Sequence, residues 1–143
     1  STVTVTDGTI AYPVDGALTG ATLLSGASAS GRVNQTLTLA ASTDYLFSCY
    51  IKNLDVDASP LKSKLHVADV DATTHETQFL WTGNVLSVST ETSSSDSAAV
   101  DVGNGWYRIS FKFTTGATAG TATARIYPNL STELESLYNS DEF

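Results

Sequence analysis

The sequence is short of several residue types, and each shortage argues against a class of protein. Cys49 is the only cysteine among 143 residues, so no intramolecular disulfide framework and no thiolate metal cage can form. Lysine and arginine number 7 against 15 aspartate and glutamate residues, which leaves no basic cluster for a nucleic-acid backbone or an anionic membrane surface. No apolar run approaches the ~18 residues that span a bilayer. We therefore expect neither nucleic acid nor a membrane as partner.

The abundant residues, threonine, serine, alanine and valine, favour strands and turns over helices. Hydrophobic residues make up 41% of the sequence, which is enough for a domain of this size to bury a core. Apolar and polar residues alternate in short segments at the ~8–12-residue spacing that is typical of sandwiches and barrels, and we count about nine to eleven strands. The sequence predicts an all-β fold, an antiparallel β-sandwich that forms a single domain over residues 1–128.

The prediction of a sandwich depends most on the segment 101–113. It begins with a tight turn of Gly103, Asn104 and Gly105, residue types that tolerate positive φ. A strand follows in which alternate residues form a continuous apolar face, namely Tyr107, Ile109, Phe111 and Phe113. Such a face needs a second layer to bury it, so this strand is expected to be the spine of the sandwich.

The other predicted strands cover residues 1–6, 32–40, 45–52, 61–70, 77–81, 85–90, 98–102 and 122–127. The near-continuous apolar run of residues 45–52, which contains Cys49 as a buried thiol, suggests a central strand with both faces covered. Gly83 and Asn84 predict a two-residue hairpin turn. We expect residues 15–31 to form a long loop or short irregular strands, and residues 91–97 to form a solvated loop.

The C-terminal residues 129–143 differ in kind from the rest. Ser131 and Thr132, followed by acidic residues, match the beginning of a short helix, because acidic side chains interact favourably with a helix N-terminus. An extended arm that depends on a partner fits the same residues equally well, so the sequence predicts one of these two conformations without deciding between them.

Three segments carry a resemblance to a known family: residues 35–52, 77–85 and 101–113, with Gly-Asn-Gly-Trp-Tyr-Arg in the third as the most specific part. In content and order they resemble jelly-roll domains, similar to carbohydrate-binding modules, that recur in tailed-phage virion proteins such as head-decoration proteins, tail fibres and tail spikes. Relatives also occur beside bacterial polysaccharide-degrading enzymes. The resemblance covers residues 33–127 and implies a sandwich of jelly-roll type.

The resemblance implies a non-catalytic virion structural protein that decorates and stabilises a capsid or forms part of a tail appendage. Its partners would be other virion proteins or copies of itself in a homo-oligomer. The alternative is a carbohydrate-binding module for host-surface attachment, or one appended to a polysaccharide-degrading enzyme, with a surface glycan as ligand. No phosphate loop or nucleophile elbow occurs, and no motif fixes two carboxylates across a cleft, so we expect no enzyme activity and no required cofactor.

Four residues are candidates for binding carbohydrate: Trp81, Tyr50, Tyr127 and Arg108. A flat aromatic ring suits the C–H face of a pyranose, and the guanidinium of Arg108 lies on the polar side of the spine strand. The competing interpretation of Trp81, and of Trp106, is packing in the core. The competing interpretation of Arg108 is a cross-strand ion pair, worth well under ~1 kcal/mol.

Two Asp-x-Asp pairs flank one predicted strand, and they are the candidates for a metal site. They consist of Asp55 with Asp57 and Asp69 with Asp71. Oxygen-rich loops bind Ca²⁺, and the resemblance implies that a structural Ca²⁺ is compatible with this fold. No complete calcium-loop motif is present, so solvated loop carboxylates are the alternative.

Overall fold

A computed structural model describes residues 3–7, 22–26, 32–52, 61–69, 71–127 and 134–138. These residues contain eleven strands and no helix, and so no helix that could cross a membrane. The first six strands are β1 (Val3–Asp7), β2 (Thr22–Gly26), β3 (Val33–Leu39), β4 (Asp44–Lys52), β5 (Leu61–Ala68) and β6 (Thr74–Thr82). The others are β7 (Val85–Thr92), β8 (Ser95–Gly103), β9 (Trp106–Thr114), β10 (Gly120–Tyr127) and β11 (Leu134–Tyr138).

All strand pairs are antiparallel, and the strands form an antiparallel β-sandwich, as predicted. One sheet has the order β3-β10-β5-β6-β7, and a second has the order β4-β9-β8. Early strands pair with late ones, β3 with β10 and β4 with β9, so the sheets join segments that are far apart in the sequence. The strands β1, β2 and β11 form a third, three-stranded sheet.

The core lies between the five-stranded sheet and the sheet β4-β9-β8. The spine prediction is confirmed, because β9 is the middle strand of its sheet and the four residues of its apolar face are buried. Cys49 is also buried, as expected. The facing sheet contributes alternate residues of β5, β6 and β10, among them Leu65, Phe79 and Ile126. The outward residues of the same strands are therefore left to form the two outer surfaces.

Some expectations about individual strands are wrong. The strand β4 lies at an end of the sheet β4-β9-β8, and its Leu46 is 54% exposed, because even-numbered positions of this strand point away from the core. The expected loop at residues 91–97 is mostly strand, since β7 continues to Thr92 and β8 starts at Ser95. The hydroxyl of Thr77 lies 3.0 Å from Ser94 Oγ and 2.8 Å from Ser97 Oγ, so hydrogen bonds replace apolar contacts here.

Two strands near the chain ends lie in segments where the local sequence predicts other conformations. Residues 134–138 form β11, which pairs antiparallel with β2, so the short-helix prediction is wrong for these residues and an extended segment is present. The strand β2 itself lies within the expected loop of residues 15–31. Strand pairing between the two ends of the chain overrides the local capping signal, and no local pattern reports such pairing.

Candidate functional site

The residues predicted to bind carbohydrate lie in three separate places. Trp81 is in the core and only 2% exposed. Its indole nitrogen donates a hydrogen bond to Ser63 Oγ at 3.3 Å, and its ring meets the ring of Tyr107 edge-on at 5.4 Å between centroids. Trp106 is equally buried. Neither indole presents a face on which a sugar could stack, and core packing accounts for Trp81.

Tyr50 and Arg108 lie together on the outer face of the sheet β4-β9-β8. They are direct partners in the register between β4 and β9, and both are half-buried. The Arg108 guanidinium donates a hydrogen bond to Ser48 Oγ at 3.2 Å. Arg108 therefore contacts the neighbouring strand β4, as the cross-strand interpretation predicted, but its partner in this hydrogen bond is a hydroxyl group and not a carboxylate.

The carboxylates of Asp69 and Asp71 hold the loop between β9 and β10. Asp69 is buried, and its Oδ2 accepts a hydrogen bond from the backbone N–H of Gly116 at 3.0 Å. The same oxygen lies 3.8 Å from His75 Nε2. Asp71 is exposed and accepts from the backbone N–H of Thr118 at 3.3 Å. One oxygen of each carboxylate thus accepts a hydrogen bond from the backbone of the loop between β9 and β10.

No group of three or more His, Cys, Asp or Glu side chains that could hold a metal ion occurs within the described ranges. The other predicted pair, Asp55 and Asp57, lies outside the described residues. For the described pair, the contacts of Asp69 and Asp71 support a structural role in joining two loops.

Tyr127, the fourth predicted residue, belongs to a surface that was not predicted from the sequence. Two rows of outward side chains cross the five-stranded sheet. One row runs through Asn34 of β3, Arg125 of β10, His66 of β5 and Glu76 of β6. The second runs through Tyr127, Lys64 and Gln78. With Arg32 and Lys62, which flank these rows, we call this surface the cationic face.

The cationic face concentrates positive charge on an acidic chain. It carries 4 of the 7 lysine and arginine residues, although the net charge of the chain is −8. The four are Arg32, Lys62, Lys64 and Arg125. Among the described residues, Glu76 is the one carboxylate in the two rows, and Lys64 Nζ lies 3.0 Å from its Oε2. This ion pair leaves an excess of cations on the face.

The ring of Tyr127 is surrounded by these cations. Lys64 Nζ lies 4.5 Å and Arg32 Cζ 5.8 Å from the ring centroid, both within the range of cation–π attraction. The imidazole of His66 meets the ring edge-on at 6.1 Å. The tyrosine ring therefore packs among the surrounding donors.

Two nitrogen atoms of the cationic face are buried without a hydrogen-bond partner, His66 Nδ1 and Arg125 Nε. Leaving such a group unpaired costs about 1–3 kcal/mol, so unpaired groups of this kind call for an explanation. His66 is only 7% exposed. Burial, and then the charges of Arg125 and Lys64, lower its pKa from 6.5 to about 4, although Glu76 acts in the opposite direction. The imidazole is thus neutral at pH 7.

Sequence alternation did place Lys62, Lys64 and His66 on one side of β5, and Arg125 with Tyr127 on one side of β10. What it could not supply was the pairing of β5 with β10, which brings residues about sixty positions apart into one row. The sequence therefore indicated the outward residues of each strand, but it did not indicate the register that brings these residues together across the sheet.

An apolar cavity of about 260 Å³ opens between β3 and β4. Its lining includes Leu37, Leu39, Phe47 and Phe113 and no charged side chain. Its lining is mainly apolar, with hydroxyl groups from Thr38, Tyr45 and Ser48, whereas the cationic face offers charged hydrogen-bond donors, an acceptor and an aromatic ring. No protein-family model matches the chain, and no curated protein matches it.

Proposed function

We propose that this chain is a non-catalytic binding module that holds a saccharide on its cationic face. The observation that carries the proposal is the convergence of polar side chains from β3, β10, β5 and β6 on one sheet surface, with two buried nitrogen atoms that lack partners. Saccharides present many hydroxyl groups, and amides, carboxylates and guanidinium groups are their natural hydrogen-bond partners. The site is built on strands, so its geometry is held by the sheet.

The face is suited to binding rather than to glycoside hydrolysis. Hydrolysis ordinarily uses two carboxyl groups separated by ~5–10 Å across the scissile bond. Within the two rows of described residues the only carboxylate is Glu76, and it is engaged by Lys64 at 3.0 Å. The two rows therefore do not supply the pair of carboxyl groups that glycoside hydrolysis uses.

Titration calorimetry with a panel of neutral and acidic oligosaccharides tests the proposal, and amide chemical shifts locate the site. The double variant Arg32→Gln/Lys64→Gln removes two cations from the cationic face. The matched control Lys52→Gln/Lys112→Gln removes the same charge from strands of the other sheet. We expect the first variant to lose about tenfold or more in affinity, because it loses charge-assisted hydrogen bonds, and the control to change less than about twofold. Equal losses, or binding by no saccharide, would contradict the proposal.

A second candidate is the virion structural role that the resemblance implied, as a capsid-decoration or tail-appendage module in a virion. The observation that favours it is a pair of apolar side chains on β8 of the sheet β4-β9-β8, with Val100 53% and Val102 39% exposed. Exposed apolar side chains that lie near one another often mark a protein contact. This sheet would contact neighbouring virion proteins or copies of the chain, and the cationic face would remain free for a glycan.

Sedimentation velocity, and co-sedimentation with particles that lack the protein, test this second role. The variant Val100→Lys is expected to lose self-association or particle binding. Thr90→Lys, at an exposed position of β7, is the control and should retain both. A wild-type chain that stays monomeric at high concentration and does not bind particles would rule against the role.

A further inference from the structure

The balance of charge on the cationic face indicates whether an acidic or a neutral saccharide would bind there more favourably. This face carries four cationic side chains and one carboxylate, that of Glu76, although the net charge of the chain is −8. A neutral saccharide would displace water from these cations without compensating their charge, which is unfavourable. A ligand with a negative charge compensates it. The excess of cations is therefore better matched to an acidic saccharide than to a neutral one.

The unpartnered nitrogen atoms indicate where the negative group would bind. Arg125 and His66 are direct partners in the register between β10 and β5, and Lys64 lies two residues from His66 on the same side of β5. Arginine binds carboxylates through parallel N–H donors of its guanidinium group. Resting on the proposed function, we propose that the saccharide carries a carboxylate, as in a uronic acid, which binds between Arg125 and Lys64 beside His66.

The rest of the face suits an oligosaccharide that bears this carboxylate. Asn34 and Gln78 occupy positions in the two rows on either side of the cations, and both side chains donate and accept hydrogen bonds. The Tyr127 ring contributes an apolar edge next to Lys64. A simple anion would use the cations alone, whereas an oligosaccharide of uronic acids also uses the amides and the ring edge.

An acidic peptide is the other class of ligand with carboxylates. Extended peptides typically bind by adding a strand to an exposed sheet edge, where backbone groups are unpaired. The cationic face is centred on β10 and β5, which are interior strands of the five-stranded sheet, with neighbours on both sides. The backbone groups there are already paired, so the position of the site favours a saccharide.

The test compares three probes by titration calorimetry: a tetramer of galacturonic acid, the same tetramer with its carboxyl groups reduced to neutral hydroxymethyl groups, and tetraglutamate. We expect the acidic tetramer to bind at least tenfold more tightly than either of the other two. Lys64→Gln and Arg125→Gln should each remove most of that preference, and Lys112→Gln should keep it. An amide spectrum of each variant verifies that it is folded.

A second readout uses the wild-type protein and does not depend on any variant. The groups that face His66 are Lys64 on its own strand, Arg125 and Tyr127 of β10, and Glu76 of β6. A carboxylate bound beside Arg125 and Lys64 offsets their charge, so the pKa of His66 should rise from about 4 when the acidic tetramer is bound. Ring proton shifts during a pH titration measure this change.

The outcomes separate the two proposals. If the neutral tetramer binds as tightly as the acidic one, the carboxylate inference is overturned and the proposed saccharide function stands. If tetraglutamate binds as tightly as the acidic tetramer, the face recognises charge alone, and the inference is overturned in favour of an acidic peptide. If no saccharide binds, both proposals fail. An unchanged His66 titration in the bound protein also overturns the inference.

Discussion

His66 is a buried imidazole with cationic neighbours on two strands. Burial, a missing partner at Nδ1 and the proximity of Arg125 and Lys64 make His66 unfavourable for the stability of the folded protein. The same three features are expected of a residue beside a ligand. Such groups gather at functional sites because function requires arrangements that stability alone would not favour. Asp69, by contrast, is a buried titratable residue whose contacts with the backbone of another loop are structural.

The stability of the protein should depend on pH through His66. Its pKa is about 4 in the folded chain against an ordinary 6.5, so between these values the unfolded chain binds a proton that the folded chain does not. Stability therefore falls as pH decreases from 6.5 to about 4 and loses no more from this residue below that, by about 1–3 kcal/mol in total. Urea unfolding of the wild type and His66→Gln measures the difference between pH 7 and pH 4.5, and identical pH dependence in the two proteins would contradict the assignment.

Asp69 and Asp71 make the same kind of contact at different depths, and this gives a matched pair of variants. Asp69→Ala leaves the partly buried Gly116 N–H without its acceptor and should cost about 1–3 kcal/mol of unfolding free energy. Asp71→Ala exposes the Thr118 N–H to water and should cost less than about 1 kcal/mol. Urea unfolding measures both. A larger loss in Asp71→Ala would indicate that the exposed carboxylate has a role other than the contact with this loop.

At the level of the strands, the alternation of apolar and polar residues within each strand could be predicted from the sequence, whereas the pairing between strands could not. The inward and outward faces of β5 and β9 follow directly from their sequences, and the turn before β9 was marked by its glycines. The strand β8 begins earlier than predicted because serine and threonine side chains hydrogen-bond to one another and leave no apolar signal. The cationic face could not be predicted, because it depends on β3, β10, β5 and β6 lying side by side, which is decided by the packing of the whole sheet.

The turn between β8 and β9 should be sensitive to side chains at its glycines. Gly103, Asn104 and Gly105 all have positive φ, at 92°, 55° and 77°. Gly105→Ala should cost about 1–2 kcal/mol, because an L-residue is strained in this conformation. Asn104→Gly is the control and should change stability by no more than about 0.5 kcal/mol, since glycine also adopts this conformation. Thermal and urea unfolding compare the two. An alanine variant as stable as the wild type would show that the turn can change its conformation without loss.

For the molecule as a whole, the five-stranded sheet separates two chemically different surfaces. Its inner face contributes Phe79 and Trp81 to the core, and its outer face carries the cations. Adjacent residues of one strand therefore contribute in turn to the core and to the cationic face, and a substitution at an outward position can change the cationic face without opening the core. This separation also means that the tryptophans, which a carbohydrate-binding module often uses for stacking, are here on the side away from the proposed ligand.

Tryptophan fluorescence tests this separation. Trp81 and Trp106 are each 2% exposed, so their emission in the native protein should be blue-shifted and weakly quenched by acrylamide. Saturating galacturonate tetramer should leave both properties unchanged, because the ligand binds on the other side of the sheet from Trp81. Urea unfolding provides the control and should shift the emission to the red and make it quenchable. A shift in emission on adding saccharide to the folded protein would instead mean that the ligand reaches an indole or opens the sandwich. Chemical shifts of the two indole N–H groups would then identify which tryptophan responds.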